Sequence, residues 1–482
     1  RLARELGENA MIGSTIEVDG VTVPYRPVAI MAYHMASQEL GFQTVRAMLM
    51  IGMLLGAIGA AGGQHSSLGK WGADQRFTDL DEVKIKDPPY NIYLKDSKFF
   101  PINSNNSSIV AKVMLDPEKY GVDYIPEVCI LHMANPLGAY PDQSANFEAY
   151  KKLKFVAAID PWLSRTADYF ADVVLPAATA EKYEGPLSAP DQYIEAVALR
   201  IPPMEPLFAS RGEIEIYQDL CEKVGILYGE GGYLDQLNKA LKLEAPYALP
   251  LDRKLTVREI FDRWARSEGI DEGVAYFEKN GVEVKGPMPA TKHYGYATDP
   301  PFGGIRHRLY GESLLRYQQE MKAMGVGEIY WQDYTPLPTW RPLTMQGSPS
   351  EYDLFLISFK LIEFKQSRAT QVPLLAELAP SQWLEINPMT ARARGINDGD
   401  EVWVESHNAV TGETRRVMVV ARYREGIRPD TVAMPHHYGE GTRHPWTQEQ
   451  GATPNSLFFT GEGYVSNTAD QSFHVKVRVY KA

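Results

Sequence analysis

Short apolar runs closed by turn residues mark the middle of the chain. Residues 128–133 (VCILHM) and 155–159 (FVAAI) are uninterrupted and short, as buried parallel strands are. Asp160-Pro161 ends the second run with a carboxylate at its C-terminal tip, where ligands sit in an open α/β sheet. An acid there suits guanine, whose N1–H and N2–H₂ groups donate; Asp-Pro as a plain strand terminator is the alternative. Ser164 can cap a short helix, and a further apolar run, 173–175, leads to Pro176 and Glu181-Lys182. Residues 212–224 read as an amphipathic helix, whereas 229–345 mix helical patterns such as VREIFDRWARSEG with aromatic, Pro- and Gly-rich loops.

From about Glu351 the texture turns to β. YDLFLIS is a strand, and LEINPMTARARGINDGDEVWVES carries a mechanism at each step. Asn387 caps a helix, Pro388 suits its first turn and Gly395 supplies the left-handed residue that ends it. Asp398-Gly399 turns into EVWVES, and Thr411-Gly412 turns that hairpin into TRRVMVVARY.

With 482 residues, 44% of them apolar, the chain can bury more than one core, and two to four domains are expected. A formal charge of −12 argues against a nucleic-acid surface. Cys129 and Cys221, in apolar and helical contexts, are expected to be small core residues. Residues 47–61 (AMLMIGMLLGAIGAA) are too short and glycine-rich to span a bilayer, so a buried helix is expected. RLARELGENA has neither an initiator Met nor a signal pattern. The sequence contains no G-x-G-x-x-G after a strand, G-x-S-x-G, H-E-x-x-H or P-loop, which removes the common nicotinamide, hydrolase, zincin and NTPase readings. His436-His437 is the only close histidine pair; on an extended segment the two would face opposite ways, and packing or a cofactor contact is favoured over a metal site.

The ordered run DPWLSRTADYFADVVLPAATAEKYEG resembles the cofactor-binding half of the molybdopterin-dinucleotide oxidoreductases of the dimethyl-sulfoxide-reductase family. The Gly-rich end of the apolar helix (Gly59 to Gly63) and the segment from 346 onward are similar too, so the resemblance covers the chain except roughly 229–345. It implies an α/β plus β fold: a Rossmann-like parallel-sheet cofactor domain followed by a C-terminal double-psi β-barrel. The implied boundaries are 1–115 for the end of a pterin-binding α/β domain, 116–228 for the Rossmann-like dinucleotide-binding region, 229–345 for an irregular insertion and 346–482 for the barrel.

The resemblance also implies a set of contacts. Met31 falls where family members approach the pterin, and Met35 stands where many have Gln. Asn135 matches an Asn beside one dinucleotide, its plain reading being an Asn-Pro turn. Ile159 and Asp160 match the pair at the guanosine end, with Lys182 and Glu213 on the same nucleotide; an acid opening a helix also answers the helix dipole. Ser358, Lys360 and Ser367 belong to a strand-and-loop around the other dinucleotide, where bulky Phe359 replaces a frequent Gly. His436, His437 and Gly439 align with a cofactor-facing loop, Asn455 with an Asn near the pterin, and His474 with a basic position.

By resemblance, then, the chain is expected to be the C-terminal part of an enzyme carrying molybdenum or tungsten bis(molybdopterin guanine dinucleotide). Such an enzyme performs two-electron reduction or oxygen- or sulfur-atom transfer, here on a sulfur oxyanion, polysulfide or arsenate. The metal-ligating residue and the 4Fe-4S cysteines are expected in an N-terminal portion or split-gene subunit. An iron–sulfur electron-transfer subunit, a membrane-anchor subunit and a periplasmic or outer-face location follow by the same analogy. The alternative is a pterin-free scaffold subunit of a respiratory complex with the same fold.

Overall fold

The computed structural model describes residues 1–30, 35–64, 91–103, 107–188, 194–287, 309–439, 441–448 and 450–482. The chain forms two compact units, one of residues 1–31, 49–87 and 175–308, the other of 32–48, 88–174 and 309–482.

The second unit contains a parallel sheet and a closed barrel. Strand β1 (Val128–His132) runs parallel to β2 (Phe155–Asp160), and β3 (Val173–Pro176) completes a three-stranded sheet in the order β1-β2-β3. Leu131, Val156 and Ala158 point to one face and pack with Ala167 of the following helix. That helix, Arg165–Phe170, begins where the sequence indicates, with the Ser164 side chain accepting from the Ala167 N–H. The other face is less covered: Val128 is 58% and Ile130 54% exposed.

The barrel closes six strands: β4 (Leu354–Phe359), β5 (Trp383–Ile386), β6 (Glu401–His407), β7 (Thr414–Tyr423), β8 (Thr431–Pro435) and β9 (His474–Lys481), in the order β5-β7-β6-β9-β4-β8. The β6–β7 hairpin is antiparallel as expected, while β5–β7 and β4–β8 are parallel. Closure leaves no edge strand to protect. Asn387 caps helix Pro388–Ala393 by accepting from the Met389 N–H, and Gly395 has φ +66° beyond its end. Period-two alternation sorts β4: Leu354 and Leu356 enter the barrel core, and Phe355 and Ile357 face outward. Each core side chain of this size contributes about 1.5–3 kcal/mol by leaving water.

In the first unit, strands Glu184–Ser188, Ile194–Arg200 and Val282–Pro287 form an antiparallel sheet. Val197 and Leu199 pack from it into a core with helices Glu213–Lys223, Tyr233–Ala240, Val257–Ser267 and Val274–Asn280. The sequence VREIFDRWARS is therefore helical, with a Thr256–Glu259 capping box. Across 229–345 the described residues include these last three helices and two more, Gly311–Ala323 and Glu328–Trp331.

Two expectations change. The apolar helix spans Gly41–Leu54 rather than 47–61 and is only partly buried, with Leu54 80% exposed at its end, whereas Ala57, Ile58, Ala60 and Ala61 just beyond it are buried. It stops because the glycines that lower its membrane propensity also end it, Gly56 at φ +64° and Gly59 at φ +77°. Among the described residues no helix is long and apolar enough to cross a membrane. Cys129 and Cys221 are unpaired and half-buried beside apolar cores, and burial pushes both thiols up.

Candidate functional site

A cleft of about 1030 Å³ opens in the second unit between the C-terminal ends of the parallel sheet and the outer face of the barrel. Its floor is the outward row of β4. Phe355 pairs across the sheet with Thr431 and Lys476, and Ile357 with Ala433 and His474. Seven residues singled out from the sequence line it: Asn135, Asp160, Ser358, Lys360, His436, Asn455 and His474. They come from segments hundreds of residues apart, so only the fold brings them together.

Each is held by its local structure. Asp160 ends β2 and accepts from the Trp162 N–H at 2.9 Å, a turn that keeps the carboxylate at the strand tip. The Asn135 Oδ1 accepts from the Thr166 N–H (3.2 Å) and hydroxyl (2.8 Å), which fixes the amide above β1. Asn455 is 2% exposed; its Nδ2 donates to the Gly138 and Ala139 carbonyls at 2.8 and 3.3 Å. Those two bonds define the amide's orientation, and Oδ1 is left buried without a protein partner. The His436 Nε2 lies 3.1 Å from the Gln366 Oε1. Burial pushes His474 down to about 4, so a neutral imidazole faces the cleft at pH 7. Lys360 has no carboxylate within ion-pair distance among the described residues, which leaves its ammonium for an anionic ligand.

The remaining sequence candidates fall elsewhere. Ile159 is wholly buried in β2, and its carbonyl accepts from the Met133 N–H at 2.9 Å. Lys182 and Glu213 belong to the first unit, where they form a part-buried ion pair with each other at 2.5 Å. His437 is buried, and its Nε2 accepts from the Leu361 N–H at 2.9 Å; burial lowers its pKa. The two adjacent histidines do not diverge as an extended segment would make them. Strand β8 ends at Pro435 and the chain bends, so the rings stand 4.4 Å apart, His436 toward the cleft and His437 in the interior. Ser367 opens a 3-10 helix, Ser367–Gln371, and Met31 lies outside the described residues. Met35 and Phe359 do line the cleft, and the Phe359 ring meets Trp383 edge-on at 6.4 Å.

Cleft residues such as Gln471 and Phe473 had no signal in the sequence. Nor did the seam that joins the two walls. Asp142, fully buried, receives Lys112 Nζ on Oδ2 and Arg415 Nη2 on Oδ1, each at 2.7 Å. Burial pushes its carboxyl up, but Lys112 and Arg415 outweigh this and hold it below the usual range. Arg415 Nη1 also donates to the Phe458 carbonyl at 2.9 Å, and the Asp142 N–H donates to the same carbonyl at 3.0 Å. Among the described residues no group of three or more His, Cys, Asp or Glu could hold a metal ion. The cleft can thus bind an extended ligand with an anionic section near Lys360 and donor-bearing rings near Asp160 and Asn455.

Comparison with known proteins gives consistent results. Residues 354–470 match the molydopterin dinucleotide binding domain. The chain is similar to the thiosulfate reductase molybdopterin-containing subunit of Salmonella typhimurium, 25% identical over 82% of this chain and 50% of that protein. It is also similar to the dimethyl sulfoxide/trimethylamine N-oxide reductase of Cereibacter sphaeroides, 24% identical over 64% of this chain and 35% of that protein. The chain spans half or less of the length of these relatives. In fold it is similar to acetylene hydratase from Pelobacter acetylenicus, with a TM-score of 0.53, 17% identity and coverage of 78% of this chain and 46% of that one.

Proposed function

Because the chain belongs to the molybdopterin oxidoreductase family, matching the C-terminal portion of its members, we propose that it is the cofactor-holding part of a bis(molybdopterin guanine dinucleotide) oxidoreductase. The observation that carries this reading is the convergence of Asn135, Asp160, Ser358, Lys360, His436, Asn455 and His474 on one cleft. The fit is chemical as well as spatial. The orphaned Asn455 Oδ1 and the Asp160 carboxylate would accept from ring N–H groups of the cofactor, and Lys360 would answer its pyrophosphate.

The bound metal, molybdenum or tungsten, supplies two-electron reduction or oxygen- or sulfur-atom transfer; the residues here bind and orient. We read the barrel, with its mixed parallel and antiparallel order, as the double-psi type, and keep 116–228 as the dinucleotide region and 346–482 as the barrel domain. Ile159, Lys182, Glu213, His437 and Ser367 stay assigned to the cofactor by resemblance alone. The likeness to a thiosulfate reductase supports a sulfur oxyanion, polysulfide or arsenate as substrate. By family resemblance alone we also propose an N-terminal portion or companion subunit with 4Fe-4S clusters, an iron–sulfur partner with a membrane anchor, and a periplasmic or outer-face location. A pterin-free scaffold would leave the Asn455 acceptor buried with nothing to accept from, and is the weaker reading.

Elemental analysis with pterin fluorescence, on the complex purified from its native host, tests the proposal. About one Mo or W per two pterins is expected; iron without pterin, Mo or W would replace the enzyme reading with the scaffold.

A further inference from the structure

Gln471 has the same unusual property as Asn455. It lines the cleft, and its Oε1 is buried without a hydrogen-bond partner. Among the cleft-lining residues described, Asn455 and Gln471 alone carry such an atom. Both orphaned atoms are carboxamide oxygens.

The backbone holds Gln471 in place from both sides. Before it, a turn over 466–470 is fixed by the Asp470 N–H donating to the Ser466 Oγ at 3.2 Å and the Ala469 N–H to the Ser466 carbonyl at 2.9 Å. That turn forces buried Ala469 to φ +58°, and the Ser108 hydroxyl donates to its carbonyl at 2.5 Å. After Gln471, the Phe473 N–H donates to the Ser37 carbonyl at 3.2 Å. The Phe473 ring meets Phe458 edge-on at 5.9 Å, which ties this segment to the one bearing Asn455. The amide is therefore presented by a preorganised backbone rather than by a loose loop.

We infer that Gln471 is a ligand-binding residue that accepts from the donor edge of a 2-amino-4-oxopyrimidine ring. The chemistry selects the ring. Phosphates and sulfur oxyanions offer almost only acceptors at neutral pH, so they would leave the Gln471 oxygen unsatisfied as it stands. A 2-amino-4-oxopyrimidine presents an N–H beside an NH₂, and pterin and guanine share that edge. The inference rests on the cofactor reading above and adds to it a contact that the sequence resemblance did not supply.

The test uses the native complex with Gln471→Met, which keeps side-chain length and removes the acceptor, and Gln471→Glu, which keeps an acceptor. Pterin retained through dialysis is measured by fluorescence after acid oxidation. Gln471→Met should lose pterin roughly tenfold faster than wild type, Gln471→Glu should stay near wild type, and the thermal midpoints of the cofactor-stripped proteins should coincide. A shifted metal EPR signal in Gln471→Met places the pterin ring at this residue, whereas faster loss with an unchanged signal places guanine there. If Gln471→Met does not fold, Gln471→Asn, which withdraws the oxygen by one methylene, carries the same comparison. Equal pterin loss in all variants overturns the inference and leaves the family reading intact; wild-type protein without pterin overturns that reading itself.

Discussion

The two walls of the cleft reach order in opposite ways. The barrel wall is closed, and Leu356, Leu384, Val402, Val404 and Val432 are fully buried in its core. The sheet wall has three strands, with Val128 and Ile130 more than half exposed on one face. A sheet of that size gains little from its own core, and it is held to the barrel by polar bonds: Lys112–Asp142–Arg415, Asn455 to α-turn carbonyls at 138–139, Arg443–Asp168, and Arg165 to the Gly439 carbonyl. The lesson is that a binding cleft can take its floor from hydrophobic closure and the placement of its opposite wall from buried charge.

The largest effect should come from cutting that seam. Asp142→Ala takes the buried carboxylate from Lys112 and from Arg415, which keeps Glu413 and the Phe458 carbonyl, and should cost about 3–5 kcal/mol in urea denaturation. A loss below about 1 kcal/mol would make the seam decorative. Because the folded carboxyl sits below its usual range, its contribution is present above the unfolded pKa and fades as pH falls through the folded value.

Asp160→Ala comes next and should act on the ligand rather than the fold. Losing a charge-assisted hydrogen bond costs about 1.5–3 kcal/mol, roughly ten- to a hundredfold in cofactor affinity, with an unchanged cofactor-free melt. Unchanged occupancy would remove Asp160 from the site.

His474 gives the pH signature of the barrel wall. Its folded pKa is lowered from 6.5 to about 4, so the unfolded chain binds the extra proton between those values. Stability should therefore be complete above about pH 6.5 and decline as pH falls toward 4. His474→Gln should flatten that slope, and an identical slope in the variant would assign it to another group. The smallest effect is expected at Ile130→Thr on the exposed sheet face, within about 0.5 kcal/mol. A larger loss would mean that this face is covered in the working protein.

Local signals in the sequence carried far. The Ser164 and Asn387 caps, the Asp398-Gly399 and Thr411-Gly412 turns and the strands at 128–132 and 155–160 follow from neighbouring residues, and all are present. The cleft was legible where a residue sits in an ordered motif, as Asp160 and Asn455 do. It was not legible where a side chain becomes functional through distant packing. Gln471 stands out only because its oxygen is buried against no partner, and Asp142 only because Lys112 and Arg415 arrive from segments 30 and 273 residues away. The apolar run 47–61 does not reveal the bounds of the helix at Gly41–Leu54, because glycines at positive φ set its end while the apolar residues continue beyond it.

A crystal structure of the complex purified with its cofactor would show whether this cleft holds the dinucleotide. A dinucleotide is expected along the outer face of β4, with ring donors on Asn455 Oδ1 and Asp160 and phosphate oxygens near Lys360. A cofactor bound elsewhere, with this cleft holding only solvent, would contradict it.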